Sequence, residues 1–434
     1  MKIDQSQTKL FDNHFPNGQT NSDKYSGTFS KNMSESVHSW YRYSAGFSSE
    51  WVNQVICKEK KNGRTHVLDP FVGSGTVLLE AEKCGVLSIG IESHPFVFRI
   101  AKAKLQWREN PDDLKMHAKR IIEYSQKLKP NVDSYPPLIT KCFPVEILEK
   151  LDVLHQSLLK NDDHSPIAEL TWLALASTIR QCSPVGTAQW SYILPKKSKA
   201  KIIDPYDAFN LKIVHMVTDM AVMQKIAKGP RAEILLEDAR ECKSVSNGWA
   251  DLIITSPPYA NNYDYADATR LEMCFFKEIT GWSDLQKTVR KHLVRSCTQH
   301  VSPISKDTYK IIEDPVLKPI RDELFEICKN LDDEKEHHGG KKQYHTMIAA
   351  YFLDLAKVWI ALRRVTSNDA MICFVIGDSA PYGVYVPVDR WLGELAVNAG
   401  FTSYDFEKIR DRNVKWKNRK HRVPLHEGRL WVKG

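Results

Sequence analysis

The sequence predicts an α/β fold whose core is a sheet of parallel strands. Short apolar runs at 87–91 and 251–254 have the length and composition of buried parallel strands. Segments with apolar residues at helical spacing alternate with these runs, and the clearest spans 345–364. Strands that alternate with helices favour a parallel sheet covered by helices. Because the chain has 434 residues, we expect either one large domain with insertions or two domains.

Composition favours a soluble intracellular protein. Hydrophobic residues make up 42% of the chain and charged residues 26%, as in ordinary globular proteins. No apolar run approaches the roughly 18 residues that a membrane helix needs, and residues 1–5 lack the apolar core of a signal peptide. We therefore expect a cytoplasmic location and no membrane association. The net charge of +8 suits a polyanionic partner.

The cysteines and histidines do not predict a metal site. Nine cysteines are scattered without a Cys-x-x-Cys pair, which indicates reduced thiols rather than a zinc site or a disulfide framework. His337 and His338 stand beside glycines, but no carboxylate or thiol partners follow at suitable spacing.

The stretch Thr255-Ser256-Pro257-Pro258-Tyr259 directly follows one of the apolar runs. Two consecutive prolines lack N–H donors and fix φ, so the chain leaves the strand in a rigid, extended path. Carbonyl and hydroxyl oxygens then face the space beyond the strand, with an aromatic ring beside them. Such oxygens can accept hydrogen bonds from an exocyclic amino group, and Tyr259 can stack on the ring that carries it. The alternative is a proline-rich turn that only closes the strand.

A second stretch, Asp-Pro-Phe-Val-Gly-Ser-Gly-Thr at 69–76, follows the short apolar strand at 66–68. Its two glycines allow a sharp turn and a close approach to a ligand, and a helix begins at Thr76. The next strand ends at Glu92, ~20 residues after the glycine loop, where an acidic residue can bind ribose hydroxyls. That spacing also occurs in NAD enzymes, but the loop lacks their Gly-x-Gly-x-x-Gly motif.

Together the two stretches resemble the S-adenosylmethionine-dependent DNA amino-methyltransferases, which methylate cytosine N4 or adenine N6. The resemblance implies a Rossmann-like class I methyltransferase fold with a mostly parallel seven-stranded sheet and helical or loop insertions. It also implies S-adenosyl-L-methionine as cofactor and, as substrate, double-stranded DNA with a specific short recognition sequence, from which the target base is flipped. The implied cofactor-binding residues are Ser44, Phe47, Asp69, Phe71, Gly73, Gly75, Thr76, Glu92 and Asp238. The implied catalytic residues are Ser256, Pro257, Pro258 and Tyr259.

Within that family, serine at the first catalytic position favours cytosine N4, whereas aspartate or asparagine favours adenine N6. We therefore expect cytosine-N4 methylation in a restriction–modification or related defence system, with adenine N6 as the alternative and a cognate restriction endonuclease as a candidate partner. Carbon-5 methylation is disfavoured because the chain has no Pro-Cys dipeptide. The cofactor motif precedes the catalytic motif, unlike the commonest N4 order, so the position of the target-recognition region stays open.

The sequence disfavours two other functions. A methyltransferase of structured RNA usually carries an RNA-binding domain ahead of the catalytic fold, and the ~35 residues before His38 are too few for one. A DNA-binding protein on a degenerate methyltransferase fold is disfavoured because Gly73, Gly75, Ser256 and Tyr259 are intact.

Composition divides the chain into a polar N-terminal arm, a catalytic domain and two insertions. The arm spans 1–30, the catalytic domain 31–104 and 231–434, the mainly helical insertion 105–230 and the second insertion 280–345. Both insertions are candidates for DNA contact or target recognition. The segment 408–422 carries eight Lys and Arg against one Asp, which predicts contacts with phosphates.

Overall fold

The computed structural model describes residues 29–43, 46–187, 193–198, 201–304, 306–412 and 423–434. Seven described strands form the central sheet: β1 (His66–Asp69), β2 (Leu87–Glu92), β5 (Glu233–Leu236), β6 (Ala250–Thr255), β7 (Thr366–Gly377), β8 (Ser403–Arg412) and β9 (Leu425–Lys433). Two more, β3 (Val185–Thr187) and β4 (Ile193–Ser198), pair as a separate antiparallel hairpin.

The strand order in the central sheet is β5-β2-β1-β6-β7-β9-β8. Among the described strands of this sheet, β9 alone runs in the direction opposite to the other six. Leu68 of β1 pairs with Ile89 of β2 on one side and with Ile253 of β6 on the other. The carboxyl ends of β1, β2 and β6 therefore meet at one edge, and the predicted mostly parallel, Rossmann-like α/β fold is confirmed.

Fifteen α-helices are found in the described part of the chain. They are α1 (Ser49–Lys61), α2 (Thr76–Cys84), α3 (Pro95–Lys104), α4 (Pro111–Ser125), α5 (Pro137–Cys142), α6 (Val145–Lys160), α7 (Pro166–Cys182), α8 (Pro205–Ile226), α9 (Tyr265–Ala268), α10 (Arg270–Phe275), α11 (Asp284–Thr288), α12 (Thr308–Ile312), α13 (Arg321–His337), α14 (Tyr344–Val365) and α15 (Val388–Asn398).

Helices cover both faces of the sheet because successive strand residues point to opposite sides. Val67 and Leu252 pack with α1 and α2 on one face. Leu68 and Ile253 pack with α14 and α15 on the other. The helices α3 to α8 share a third core, which extends the domain beside β5 and β2.

Helix α14 is the central helix of one face. By length and composition it could cross a membrane, but 89% of its most apolar window is buried inside the protein. Trp359 stacks on Phe374 of β7 with ring centroids 4.3 Å apart. The apolar character of α14 is therefore explained by its place in the core.

Two expectations need correction. Cys57 of α1 and Cys84 of α2 form a disulfide, so the expectation of reduced thiols is wrong for this pair, whereas the other seven cysteines are buried thiols. Residues 408–412, assigned to a basic tail, form the end of β8 instead. The rest of that basic segment, 413–422, and residues 1–28 of the N-terminal arm lie outside the described residues.

Candidate active site

The glycine loop joins β1 to α2 and turns through two left-handed glycines. Gly73 has φ +52° and Gly75 has φ +92°, values that L side chains rarely adopt. A Cβ on Gly73 would lie 3.1 Å from Cε1 of Tyr43. Glycine at this position therefore permits both the backbone conformation and the close approach of the tyrosine ring.

The carboxylate of Asp69 joins the glycine loop to the catalytic strand. Its Oδ1 accepts hydrogen bonds from the Phe71 amide at 3.0 Å and from the Thr255 hydroxyl at 2.6 Å. Asp69 is 1% exposed, and this burial raises its pKa to about 7, although both hydrogen bonds oppose the shift. Thr255 is the first residue of the Thr-Ser-Pro-Pro-Tyr stretch, so one hydrogen bond connects the two motifs.

Glu92 anchors the glycine loop from β2. Its Oε2 accepts from the Gly73 amide at 3.0 Å, and its Oε1 accepts from the His94 amide at 2.8 Å. Burial raises the pKa of Glu92 to about 7; these backbone hydrogen bonds oppose the shift and the nearby Asp69 carboxylate adds to it. Because an ionised carboxylate has about four acceptor positions, Glu92 retains capacity for ligand hydroxyls.

The catalytic loop after β6 is fixed against β7. The Ser256 hydroxyl donates to the carbonyl oxygen of Val375 at 3.1 Å. At the far end of the loop, the Ser379 hydroxyl donates to the carbonyl oxygen of Ala260. The guanidinium carbon of Arg412 lies 5.4 Å from the ring centroid of Tyr259, and burial raises the pKa of the Tyr259 hydroxyl. The loop is therefore held at both ends and at its aromatic side chain.

A cavity of about 690 Å³ lies where the two motifs meet. The predicted residues that line it are Phe47, Phe71, Gly73, Thr76, Glu92, Ser256 and Pro258. The structure therefore brings residues of the predicted cofactor site and of the predicted catalytic site to one cavity.

Four other predicted residues belong to the same loops without being among those that line the cavity: Asp69, Gly75, Pro257 and Tyr259. Asp238 lies at a second cavity, of about 990 Å³, and its carboxylate accepts from Nε of Arg240 at 2.9 Å. Leu293 lines both cavities, so the two adjoin. Ser44 lies outside the described residues. The role of Asp238 in cofactor binding stays a prediction.

Several lining residues were not predicted. Tyr43, Ser93 and His94 flank the predicted positions along the chain, and this adjacency was an available signal. His94 Nε2 lies 2.9 Å from Oγ1 of Thr269, and burial lowers the pKa of His94 to about 3, so its ring stays neutral. Leu293 and Val294 come from the second insertion, where no sequence pattern marked them.

A buried ion pair attaches the second insertion to the segment after the catalytic loop. Arg290 Nη2 lies 2.6 Å from Oδ2 of Asp264, and His300 Nε2 lies 3.4 Å from Oδ1. Burial alone would raise the pKa of Asp264, but His300 and Arg290 lower it to about 2. Asp264, His300 and Cys297 have metal-ligand atoms within 4.8 Å of one another. The Arg290 guanidinium already balances this carboxylate, and repulsion by it disfavours a cation there.

The pKa of Glu92 leads to a prediction about the pH dependence of cofactor binding. If ribose hydroxyls donate to the ionised carboxylate, binding favours the form that predominates above a pKa of about 7. Affinity for S-adenosylmethionine should then rise by about tenfold from pH 6 to pH 8. Calorimetry over this range tests the expectation, with Glu92→Gln as the variant that cannot titrate. An equal pH dependence in parent and variant would contradict it.

The arrangement matches the one expected of a Rossmann-like amino-methyltransferase. It combines the sheet order, the glycine loop after β1, the acidic end of β2 and the Ser-Pro-Pro-Tyr loop after β6. Residues 2–103 match the family model described as DNA methylase, the N6/N4 methyltransferase family.

Two relatives match over most of the chain. It is 26% identical over 418 residues to the Type II methyltransferase M.AvaI of Nostoc sp., covering 88% of this chain and 82% of the relative. It is 25% identical over 425 residues to the Type II methyltransferase M.BsoBI of Geobacillus stearothermophilus, covering 89% and 82%. A shorter match to the Type II methyltransferase M.MjaII of Methanocaldococcus jannaschii is 37% identical over 76 residues, covering 18% and 14%. No solved structure matches significantly. The family model and these relatives support the resemblance to the N4/N6 DNA amino-methyltransferases that the motifs predicted.

Proposed function

We propose that the protein transfers a methyl group from S-adenosylmethionine to the exocyclic amino group of a base flipped from double-stranded DNA, in the cytoplasm. The observation that carries the proposal is the single cavity shared by the glycine loop, Glu92, Ser256 and Pro258. Relatives named Type II methyltransferases support a role in a restriction–modification system, with DNA of a specific short sequence as substrate.

The residues present suit this cofactor. Gly73 leaves no Cβ beside the cavity, Glu92 has acceptor capacity for ribose hydroxyls, and Phe47 and Phe71 supply aromatic surface. When bound, S-adenosylmethionine supplies an electrophilic methyl group on a sulfonium. The chain must then hold the amino nitrogen in line with that methyl group and exclude water, so positioning is most of the catalysis.

The catalytic loop can make the amino nitrogen a better nucleophile. The lone pair of an exocyclic amino group is delocalised into the ring, which weakens its attack. The Ser256 hydroxyl donates a hydrogen bond to the Val375 carbonyl, and its oxygen can accept one from the amino group. A second hydrogen bond to the Pro257 carbonyl would favour a pyramidal nitrogen. Tyr259 would stack on the flipped base.

Serine at the first catalytic position favours cytosine N4 as the methylated atom, and adenine N6 is the alternative. Mass spectrometry of nucleosides from the DNA of cells that express the protein decides between them. N4-methyldeoxycytidine is expected above the level in cells that express Ser256→Ala, and N6-methyldeoxyadenosine would identify the alternative. If both methylated nucleosides stay at the level of the Ser256→Ala control, the proposal is overturned. Mass spectrometry of RNA nucleosides from the same cells tests the RNA alternative.

The second cavity indicates which basic residues are available to contact DNA, which the charge of the insertion alone does not. Arg240 Nη1 lies 3.1 Å from Oδ1 of Asp354, and Arg295 Nε donates to Oδ2 of the same carboxylate at 2.8 Å. Asp354 is 1% exposed and therefore partly neutralises both guanidiniums. Lys291 and Lys357 line this cavity, are exposed, and form no ion pair within the described residues. We infer that these two lysines contact DNA phosphates.

The logarithm of the DNA association constant falls linearly with the logarithm of the salt concentration, and each lysine that neutralises a phosphate steepens this slope by about 0.9. Lys291→Ala and Lys357→Ala should each flatten the slope by about this amount, equally on cognate and unrelated duplexes. Fluorescence anisotropy across a salt series measures it. Lys61→Ala, an exposed lysine at the end of α1, is the matched control. A slope as steep as that of the parent in both variants would contradict the assignment.

A further inference from the structure

We propose that Arg412 is a positioning residue that fixes the ring of Tyr259 as the surface on which the target base stacks. Its guanidinium lies over the Tyr259 ring, 5.4 Å from the centroid, and its Nη1 donates to the carbonyl oxygen of Asp378 at 2.9 Å. The target base comes from the proposed function, on which the inference rests. The contact itself is a feature of the described residues.

The position of Arg412 in the fold makes the contact specific. Arg412 is the last residue of β8 and pairs with Leu425 of β9. The next residue, His426, donates its amide to Oδ1 of Asp378 at 2.8 Å, and its Nδ1 lies 2.9 Å from Oδ2. Contacts from His426 of β9 and from Arg412 thus converge on Asp378, directly after β7. Val375 of β7 accepts the hydrogen bond from the Ser256 hydroxyl. The strand β7 therefore supports both the hydroxyl and the aromatic ring of the catalytic loop.

Gly377 provides an independent observation. A Cβ on Gly377 would overlap Nη1 of Arg412 and lie 3.2 Å from its Cζ. The backbone of Gly377 is not in the left-handed region, so an alanine is conformationally allowed there. The absence of a side chain at the end of β7 therefore leaves the space that the Arg412 guanidinium occupies.

A guanidinium over an aromatic ring is attracted by the negative face of the ring. With Arg412 on one side of the Tyr259 ring, the target base would stack on the other side. Arg412 would then act through Tyr259 and would touch neither the base nor the DNA phosphates. This distinguishes it from the basic residues of a phosphate-binding surface.

The first test is single-turnover methyl transfer to cognate duplex DNA, with DNA and cofactor saturating. Arg412→Ala should lower the rate by about 3- to 30-fold, the range expected for a lost cation–π contact. Affinity for S-adenosylmethionine and the salt slope of DNA binding should not change. Gly377→Ala keeps the charge of Arg412 but takes its space, and should reproduce the loss. In a Tyr259→Ala background, Arg412→Ala should cost less than about twofold more, because the ring it positions is absent.

Arg363 is a matched control near the other end of β7, because it also donates to a backbone carbonyl and lies against an aromatic ring. Its Nε donates to the carbonyl oxygen of Gly400 at 3.0 Å, and its guanidinium lies 5.6 Å from the Phe401 ring centroid. Arg363→Ala should keep the parental rate of methyl transfer. An unchanged rate in Arg412→Ala would overturn the inference. So would a full additive loss in the Tyr259→Ala background, or a salt slope flattened by about 0.9, which would indicate a phosphate contact instead.

A second measurement does not depend on methyl transfer. In DNA-free protein with labelled tyrosine, the ring resonances of Tyr259, assigned from Tyr259→Phe, should shift in both Arg412→Ala and Gly377→Ala. Unshifted resonances would overturn the contact whether or not the protein methylates DNA. A parent that transfers no methyl group, but whose Tyr259 resonances shift in both variants, would overturn the proposed function and retain the positioning contact.

Discussion

Replacing Ser256 with alanine is expected to lower the rate of methyl transfer by about 10²–10³, which corresponds to ~2.7–4 kcal/mol. The hydroxyl is fixed by its hydrogen bond to the Val375 carbonyl and lines the cavity, so it is placed to accept from the amino group as the transition state forms. An interaction made mainly in the transition state affects turnover and leaves binding nearly unchanged. Single-turnover transfer from labelled S-adenosylmethionine to cognate duplex DNA measures the effect.

Ser379 is the matched control for this variant, because its hydroxyl also fixes the catalytic loop by donating to a backbone carbonyl, that of Ala260. Ser379 is buried and is not among the residues that line the cavity. Ser379→Ala should therefore slow transfer much less than Ser256→Ala. Equal losses in the two variants would mean that Ser256 only holds the loop, and a parental rate in Ser256→Ala would show that the loop is merely a turn.

Replacing Gly73 with valine is expected to abolish cofactor binding. The residue has φ +52°, which a β-branched side chain strongly disfavours, and its Cβ would lie 3.1 Å from Tyr43 Cε1. The added methyl groups would also occupy the cavity that Gly73 lines. Calorimetry on the folded variant measures the affinity for S-adenosylmethionine.

Gly248→Val separates backbone strain from occupation of the cavity. Gly248 has φ +66°, and a Cβ there meets no described atom within 4 Å. This control should lose stability from strain but bind the cofactor as the parent does. Retained affinity in a folded Gly73→Val protein would exclude Gly73 from the cofactor site.

The core strands could be predicted from the sequence because they are buried on both faces. β1, β2, β6 and β7 are apolar runs, and the polar residues at their carboxyl ends marked the site. β8 was missed because its residues are mostly half-buried, and its charged end resembled a basic tail. An edge strand pairs through its backbone, which leaves little trace in the pattern of side chains.

Charge partners could not be predicted, because they come from distant parts of the chain. Arg290 and Arg295 belong to the second insertion, which was expected to contact DNA. In the structure each guanidinium binds a buried carboxylate, Asp264 and Asp354, respectively 26 and 59 residues away. The sequence gives the number of charges, and only the fold determines which of them remain available to a ligand.

The hydrogen bond from Thr255 to Asp69 has a consequence for the order of the motifs along the chain. Its two residues are 186 positions apart, yet they lie at the ends of the neighbouring strands β1 and β6. The contact requires that β1 and β6 be adjacent, and it does not depend on how the chain connects them. A circularly permuted chain that kept the strand order of the sheet would rebuild the same junction with the catalytic motif first. Relatives with opposite motif orders can therefore share one active-site geometry, and motif order alone does not identify the base that is methylated.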